Sequence, residues 1–325
     1  MIRVLAITPV KHIQGVAKTL NEIGKVDYLE EPSQLDVEKN ISNYDAVFTN
    51  PNKSNVFLGP SILTKAKKLK FICTASTGTN HIDIDFAKQK GIEIISLTEE
   101  RNVIDKVSST AELAFTLMLT SLRKINQAYA SVLNDQWDYL PYVGKQINCL
   151  SIGVIGYGRL GKMFAKYSSS FGAKVFVYDP YKKVKNNNHI QISSFHEFLN
   201  LCDIISIHVH VTEETTKMID KNALSHVKND VMFVNTSRGE IIDENNMVNF
   251  LKNNQNAYLA ADVIANEVSN KKGSELLKYA KKSNQVLITP HIGGMTVHAQ
   301  QIVYSHAADL LKEAIKKLEL GHKIG

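Results

Sequence analysis

The chain has 325 residues, 44% apolar and 22% charged, a balance that supports a sizeable core and excludes a low-complexity or disordered chain. No apolar run approaches the roughly 20 residues of a membrane helix, so no membrane partner is expected. The formal net charge of +6 is spread over short lysine groups at 65–70, 181–185, 278–282 and 315–317, which reads as solvated helix faces rather than a nucleic-acid stripe. The three cysteines, Cys73, Cys149 and Cys202, lie too far apart for a disulfide framework or a CxxC metal pattern. A reducing cytoplasmic setting and no bound metal are expected.

In chain order, MIRVLAITP reads as a strand, too short to be a signal peptide. The Asn-x-Ser/Thr triplets at Asn52 and Asn235 then read as chance matches. Residues 1–100 alternate β-rich runs (RVLAI, KVDYL, YDAVFTN, KFICTA, IEIISL) with helical ones (QGVAKTLNEI, PSILTKAKKL). Such alternation predicts a parallel sheet with helices on both faces. Residues 108–133 form one long helical run, with Ser109 or Thr110 and Glu112 at its cap and an apolar first half.

A second series begins at residue 150. Strands SIGVI, KVFVYD, HIQI, DIISIHV, VMFVN, YLAADV and QVLITP are separated by helical runs at 160–171, 194–202, 221–226 and 244–254. A final helix follows at 296–318 and could return to the first series, making that domain discontinuous. The length suits two domains.

The turn after the first strand of the second series reads GVIGYGRLG, with Gly156, Gly158 and Gly161 in GxGxxG spacing. Between an apolar strand and a helix, that spacing indicates dinucleotide binding. Gly156 permits the tight turn, Gly158 lets a pyrophosphate approach, and Gly161 allows close packing. The phosphates would meet the N–H groups of Arg159 and Leu160. The next strand ends at Asp179, placed to accept ribose hydroxyls and to favour NAD over NADP, with Lys182 and Lys183 softening that preference.

Ligands of open α/β sheets bind beyond the carboxyl ends of the strands. Those ends carry His208, then Asn235-Thr236-Ser237-Arg238, then Asp262 with Glu267, then His291. Arg238 follows an apolar strand directly, and a charge there needs a negative partner from the protein or a ligand. Glu240 or Asp243 could be that partner, Lys271 could pair with Glu267, and His291 could be an ordinary turn residue. Together, however, the three fit one chemistry. A guanidinium fork matches a carboxylate, a histidine exchanges a proton with a carbonyl oxygen, and a glutamate beside it would hold the imidazolium and raise its pKa. In the first series, the turn at residues 76–83 with Thr77 and Gly78 could cradle the substrate carboxylate. Lys11, His12 and Lys53 lie near strand ends and could meet a second anionic group.

These segments resemble the D-isomer-specific 2-hydroxyacid dehydrogenases. The likeness spans nearly the whole chain and is carried by GVIGYGRLG, NTSRGEIIDE, the Asp262-to-Glu267 spacing in ADVIANE, and TPHIGG. The resemblance implies an α/β fold of two doubly wound parallel-sheet domains. A Rossmann NAD domain, residues 101–294, would be inserted in a flavodoxin-like substrate domain, residues 1–100 plus 295–325. It further implies that Arg238 binds and polarises the substrate, that His291 is the acid/base, and that Glu267 orients it. Asp262 would lie near the nicotinamide carboxamide. His208, Thr215, Thr236, Ser237 and Gly293 would also contact NAD, and Thr77 and Gly78 the substrate.

The implied reaction interconverts a D-2-hydroxy acid and its 2-keto acid, in a homodimer formed through the NAD domain. An NAD-sensing corepressor is the alternative. The chain departs from the family pattern at His208-Val209-His210 and at Glu267-Val268, where a proline is usual. Glu267 argues against the formate branch, and no regulatory extension is expected after the last helix.

Overall fold

A computed structural model describes residues 1–51, 56–268 and 270–321; Asn52 and Lys53 lie outside the described residues. The chain divides into two compact units, Met1–Val107 with Gly294–Gly325, and Ser108–Gly293.

Among the described residues, the first unit holds five strands, β1 (Arg3–Ala6), β2 (Lys25–Tyr28), β3 (Ala46–Thr49), β4 (Phe71–Thr74) and β5 (Glu93–Ile95), all parallel, in the order β2-β1-β3-β4-β5. This is the flavodoxin-like doubly wound order. Alternation along β1 explains why both faces are covered. Val4 and Ala6 enter one apolar cluster, Leu5 and Ile7 the other. The helix Val297–Gly321 closes the first cluster with Tyr304, Ala307, Leu311 and Ile315, a stripe at helical spacing. The last helix therefore belongs with the first sheet. So does the short helix Arg101–Ile104, whose Ile104 joins the same cluster, so residues 101–107 fall in the first unit rather than opening the second.

The second unit holds, among the described residues, seven parallel strands, β6 (Ser151–Ile155), β7 (Lys174–Tyr178), β8 (His189–Gln191), β9 (Ile204–Ile207), β10 (Met232–Asn235), β11 (Tyr258–Ala261) and β12 (Val286–Ile288). Their order, β12-β11-β10-β9-β6-β7-β8, is the Rossmann order extended by one strand. It reverses between β6 and β9, and that switch point is where such sheets bind ligands.

The run at 108–133 is not one helix. It forms Ser109–Leu122 and Ile125–Leu133, broken at Lys124, which adopts φ 49°. No glycine or proline marks the break. The first segment buries Ala114, Phe115 and Met118 on the β6 face, whereas most of the second is exposed. Three short helices, Gln34–Asn40, Ile84–Gln89 and Glu275–Ala280, escape sequence periodicity because none exceeds two turns. Among the described residues, no helix is long and apolar enough to cross a membrane.

Candidate active site

The glycine turn sits at the end of β6. Gly156 has φ 87°, and a Cβ there would lie 2.6 Å from the His208 carbonyl oxygen across the switch point; a Cβ on Gly161 would strike the Gly156 carbonyl at 1.9 Å. Neither position accepts a side chain. At Gly158, which caps the helix Arg159–Ser170, the nearest neighbour of an added Cβ is Lys182 Nζ at 3.8 Å, so a ligand can approach the backbone. The first turn of that helix begins with Arg159 and Leu160.

Asp179 stands at the end of β7. Its carboxylate accepts the Tyr157 N–H at 2.7 Å on Oδ2, and the Tyr181 and Lys182 N–H groups at 2.9 and 3.0 Å on Oδ1. The acid expected to read the ribose therefore also ties the glycine turn to the segment after β7. His208 differs from expectation. Its ring points inward, Nε2 lying 2.8 Å from Ser206 Oγ and the ring tilted over Phe164, while burial pushes its pKa down to about 3. The His208 carbonyl faces the Gly156 position of the glycine turn. Thr215 is engaged within its own turn, donating to the His210 carbonyl at 2.6 Å and accepting from Thr212 N at 2.8 Å.

The turn after β10 is built around Asn235, which is 1% exposed. Its Oδ1 accepts the Ser237 N–H at 3.0 Å and its Nδ2 donates to the Arg238 carbonyl at 2.9 Å. Ser237 Oγ donates to the Ile207 carbonyl at 2.7 Å, fixing the turn against the neighbouring strand. The Thr236 hydroxyl is buried, with no partner among the described residues. Such an atom in a ligand cleft fits a polar group of a bound dinucleotide.

Arg238 is half-buried, and its Nη1 donates to the Ser237 carbonyl at 2.7 Å. No carboxylate among the described residues lies within ion-pair distance of it. Asp243 instead caps the next helix at Asn246 N and pairs with Lys217 at 3.4 Å, while Glu240 accepts the Asn266 N–H at 3.2 Å. Gly239 has no room for a side chain because a Cβ would fall 2.0 Å from the carbonyl carbon of Ile264. The arginine turn and the loop carrying Glu267 thus touch through backbone.

That loop leaves β11 at Asp262, which is 1% exposed. Its carboxylate accepts Thr289 Oγ1 at 2.5 Å, the Ile292 N–H at 2.9 Å and the Gly293 N–H at 2.8 Å. Burial raises the Asp262 pKa, and these donors oppose the rise. They hold the Thr289–Gly293 turn, in which His291 takes φ 55°, a conformation costly for a non-glycine residue unless its surroundings impose it. Held so, His291 Nδ1 lies 2.5 Å from Glu267 Oε1, both side chains largely buried at 19% and 15% exposure. The carboxylate fixes the tautomer, making Nε2 the atom that would exchange a proton with a carbonyl oxygen.

Glu244 carries no role in the sequence reading, and Glu240, considered there only as a partner for Arg238, takes a different one. Glu244 is nearly buried, and its carboxylate accepts the Ala265 N–H at 2.9 Å, Ser274 Oγ at 2.8 Å and the Leu276 N–H at 3.3 Å, clamping both ends of the loop that carries Glu267. Glu240 holds that loop at Asn266. In the sequence Glu244 looks like any acid in the first turn of a helix, so no local signal separates it from its neighbours.

In the first unit, Asn50 Nδ2 donates to the Ala75 carbonyl at 2.6 Å, Ser76 Oγ to the Gly78 carbonyl at 2.6 Å and Thr98 Oγ1 to the Thr77 carbonyl at 3.1 Å. The Thr77–Gly78 turn is thereby held at the carboxyl end of β4. Lys11 pairs with Glu30 at 3.6 Å and lies over the Tyr28 ring.

Residues 115–293 match the family model described as D-isomer specific 2-hydroxyacid dehydrogenase, NAD binding domain. The chain is 29% identical over 319 residues to a D-3-phosphoglycerate dehydrogenase of Methanocaldococcus jannaschii, covering 97% of this chain and 58% of that protein. It is 31% identical to a hydroxypyruvate reductase of Thermotoga maritima, covering 79% of this chain and 80% of that one. The fold superposes with TM-score 0.80 and 26% identity on a D-lactate dehydrogenase of Aquifex aeolicus complexed with NAD and lactic acid, over 97% of this chain and 96% of that one. The chain spans little more than half the length of the phosphoglycerate dehydrogenases it matches. By the extent of these matches and the residues that carry them, the chain belongs to the D-isomer specific 2-hydroxyacid dehydrogenase family.

Proposed function

We propose that the chain interconverts a D-2-hydroxy acid and its 2-keto acid with NAD(H). The observation that carries this reading is the Glu267–His291 pair at 2.5 Å, in the same unit as the dinucleotide turn and an Arg238 with no carboxylate partner among the described residues. A bound nicotinamide would supply or take the hydride. Arg238 would hold the substrate carboxylate in its planar fork and draw electron density from the adjacent carbonyl. His291 Nε2 would give the carbonyl oxygen its proton during reduction and remove it during oxidation. Glu267 would hold the ring in place and stabilise its protonated form. Thr77 and Gly78 would contact the substrate. The direct test follows NADH consumption across a panel of small 2-keto acids. Stereospecific turnover to the D-product is expected. Tight NADH binding with no turnover of any member would overturn the enzyme reading in favour of a sensor.

The partner reading is a second copy of this chain. Its support is a run of exposed apolar side chains in one stretch of the second unit, including Tyr129, Leu133, Trp137 at 90% exposure, Tyr139 at 78%, Leu140 and Val143. Light scattering should give twice the chain mass, and Trp137→Ser should lower it; a wild-type monomer at micromolar concentration would refute the dimer. Cys73, Cys149 and Cys202 are all free, which suits a reducing, cytoplasmic setting.

A further inference from the structure

A cavity of about 550 Å³ opens beside the glycine turn, lined by Tyr157, Lys162, Lys182, Lys183, Lys185 and Asn186. Four of its six lining residues are lysines and none is an acid, which sets it apart from the ribose edge of a site built only for NAD.

The segment that brings the lysines there is pinned. Gln191 Nε2 donates to the Asp179 and Lys182 carbonyls at 3.1 and 2.8 Å, and its Oε1 accepts the Val184 N–H at 3.0 Å. The His189 N–H donates to the Asn186 carbonyl at 3.1 Å, and His189 Nδ1 lies 2.7 Å from the Tyr157 hydroxyl. Lys162 approaches from the glycine-turn helix, its Nζ 5.7 Å from the centre of the Tyr157 ring.

Asp179 is the group that would oppose an extra phosphate here. Both of its oxygens already accept backbone N–H groups, three in all, which offset part of its charge. Glu214, the other acid at this edge, accepts the Tyr181 hydroxyl. Basic side chains beside the ribose acid are what a 2′-phosphate requires. Lysine heads, as mobile point charges, suit a phosphate without fixing its orientation.

We propose that this cavity is a phosphate subsite through which the chain takes a dinucleotide bearing a third phosphate on the adenosine ribose, NADP(H), alongside NAD(H). The inference rests on the dinucleotide reading of the glycine turn. Its test is direct binding, which needs no turnover. NADH and NADPH are each titrated into the full chain by nicotinamide fluorescence. The expected result is an NADPH Kd within about tenfold of the NADH Kd. The combined Lys182→Ala, Lys183→Ala and Lys185→Ala variant should weaken NADPH by about tenfold or more and leave NADH within about threefold. In competition, 2′-AMP should displace NADPH better than 5′-AMP does.

Tight NADH binding with NADPH weaker by more than about tenfold overturns the subsite and leaves the NAD reading intact. An equal loss of both ligands in the triple variant also overturns it, because the lysines would then serve the phosphates common to both. If neither dinucleotide binds, the dinucleotide reading falls and the subsite with it.

Discussion

Glu267 Oε1 lies 2.5 Å from His291 Nδ1, although the two residues are 24 positions apart and belong to the loops after different strands. Backbone approach, not the pair itself, sets this distance. Gly239 admits the 264–265 backbone against the arginine turn, and Asp262 gathers the turn that presents His291. The Glu267–His291 pair is thus held by groups outside it, and their hold can be tested.

His291→Ala removes the proposed proton donor. Turnover should fall by about 10²–10⁴ while NADH affinity, measured by fluorescence, stays near wild type. Turnover close to wild type would show that another group moves the proton.

Arg238→Lys keeps the charge and removes the fork. The 2-keto acid KM should rise and kcat should drop together, by at least about tenfold in kcat/KM. Unchanged kinetics would confine Arg238 to a structural role in its turn.

Glu244→Ala leaves the Ala265 and Leu276 N–H groups and the Ser274 hydroxyl without their acceptor. Each buried unpaired group costs about 1–3 kcal/mol, so thermal stability should fall, and kcat should fall more than NADH affinity as Glu267 loses its placement. A loss of stability with kcat intact would separate the clamp from catalysis.

Asp262→Asn replaces an acceptor of three donors with a side chain that carries donors of its own. At least one of the Ile292 or Gly293 N–H groups would then face an amide N–H. The variant should lose kcat and show faster hydrogen exchange at residues 289–293. Wild-type exchange there would mean that the turn holds itself.

His208 titrates near 3 in the fold against 6.5 when unconstrained, so it must lose its proton to fold. A depressed folded pKa contributes stability that is fully present above the unfolded value. That stability is lost as pH falls from about 6.5 towards 3, about 2 kcal/mol of it between pH 7 and 5. Urea denaturation at the two pH values should show a smaller acid loss for His208→Gln than for wild type. Equal losses would place the acid sensitivity elsewhere.

Much of the fold was legible because it rests on local requirements. The twelve strands among the described residues coincide with β-rich runs, and central ones such as β3 (AVFT) and β9 (IISI) are almost wholly apolar because both of their faces are covered. GVIGYGRLG declared itself because a positive φ at Gly156 and the tight approach at Gly161 exclude any other residue. The break at Lys124 was hidden, because no helix-breaking residue makes it; burial of one segment and exposure of the next does. The inward turn of the His208 ring was hidden too, since a histidine at a strand end reads the same whether it faces ligand or core.

By itself, then, the sequence determined the strand pattern, the glycine turn and the types of residue at the strand ends. Each of these depends on backbone geometry within a few residues. The tertiary structure decided which side chains meet. It set Glu267 on His291, left Arg238 without a protein carboxylate among the described residues, put Glu244 across the loop that carries Glu267, and committed Asp179 to three backbone N–H groups beside four lysines. The Glu267–His291, Glu244–Ala265 and Asp179–Tyr157 pairings join residues that are distant in the chain. The side-by-side order of the strands that carry them brings them within hydrogen-bond reach.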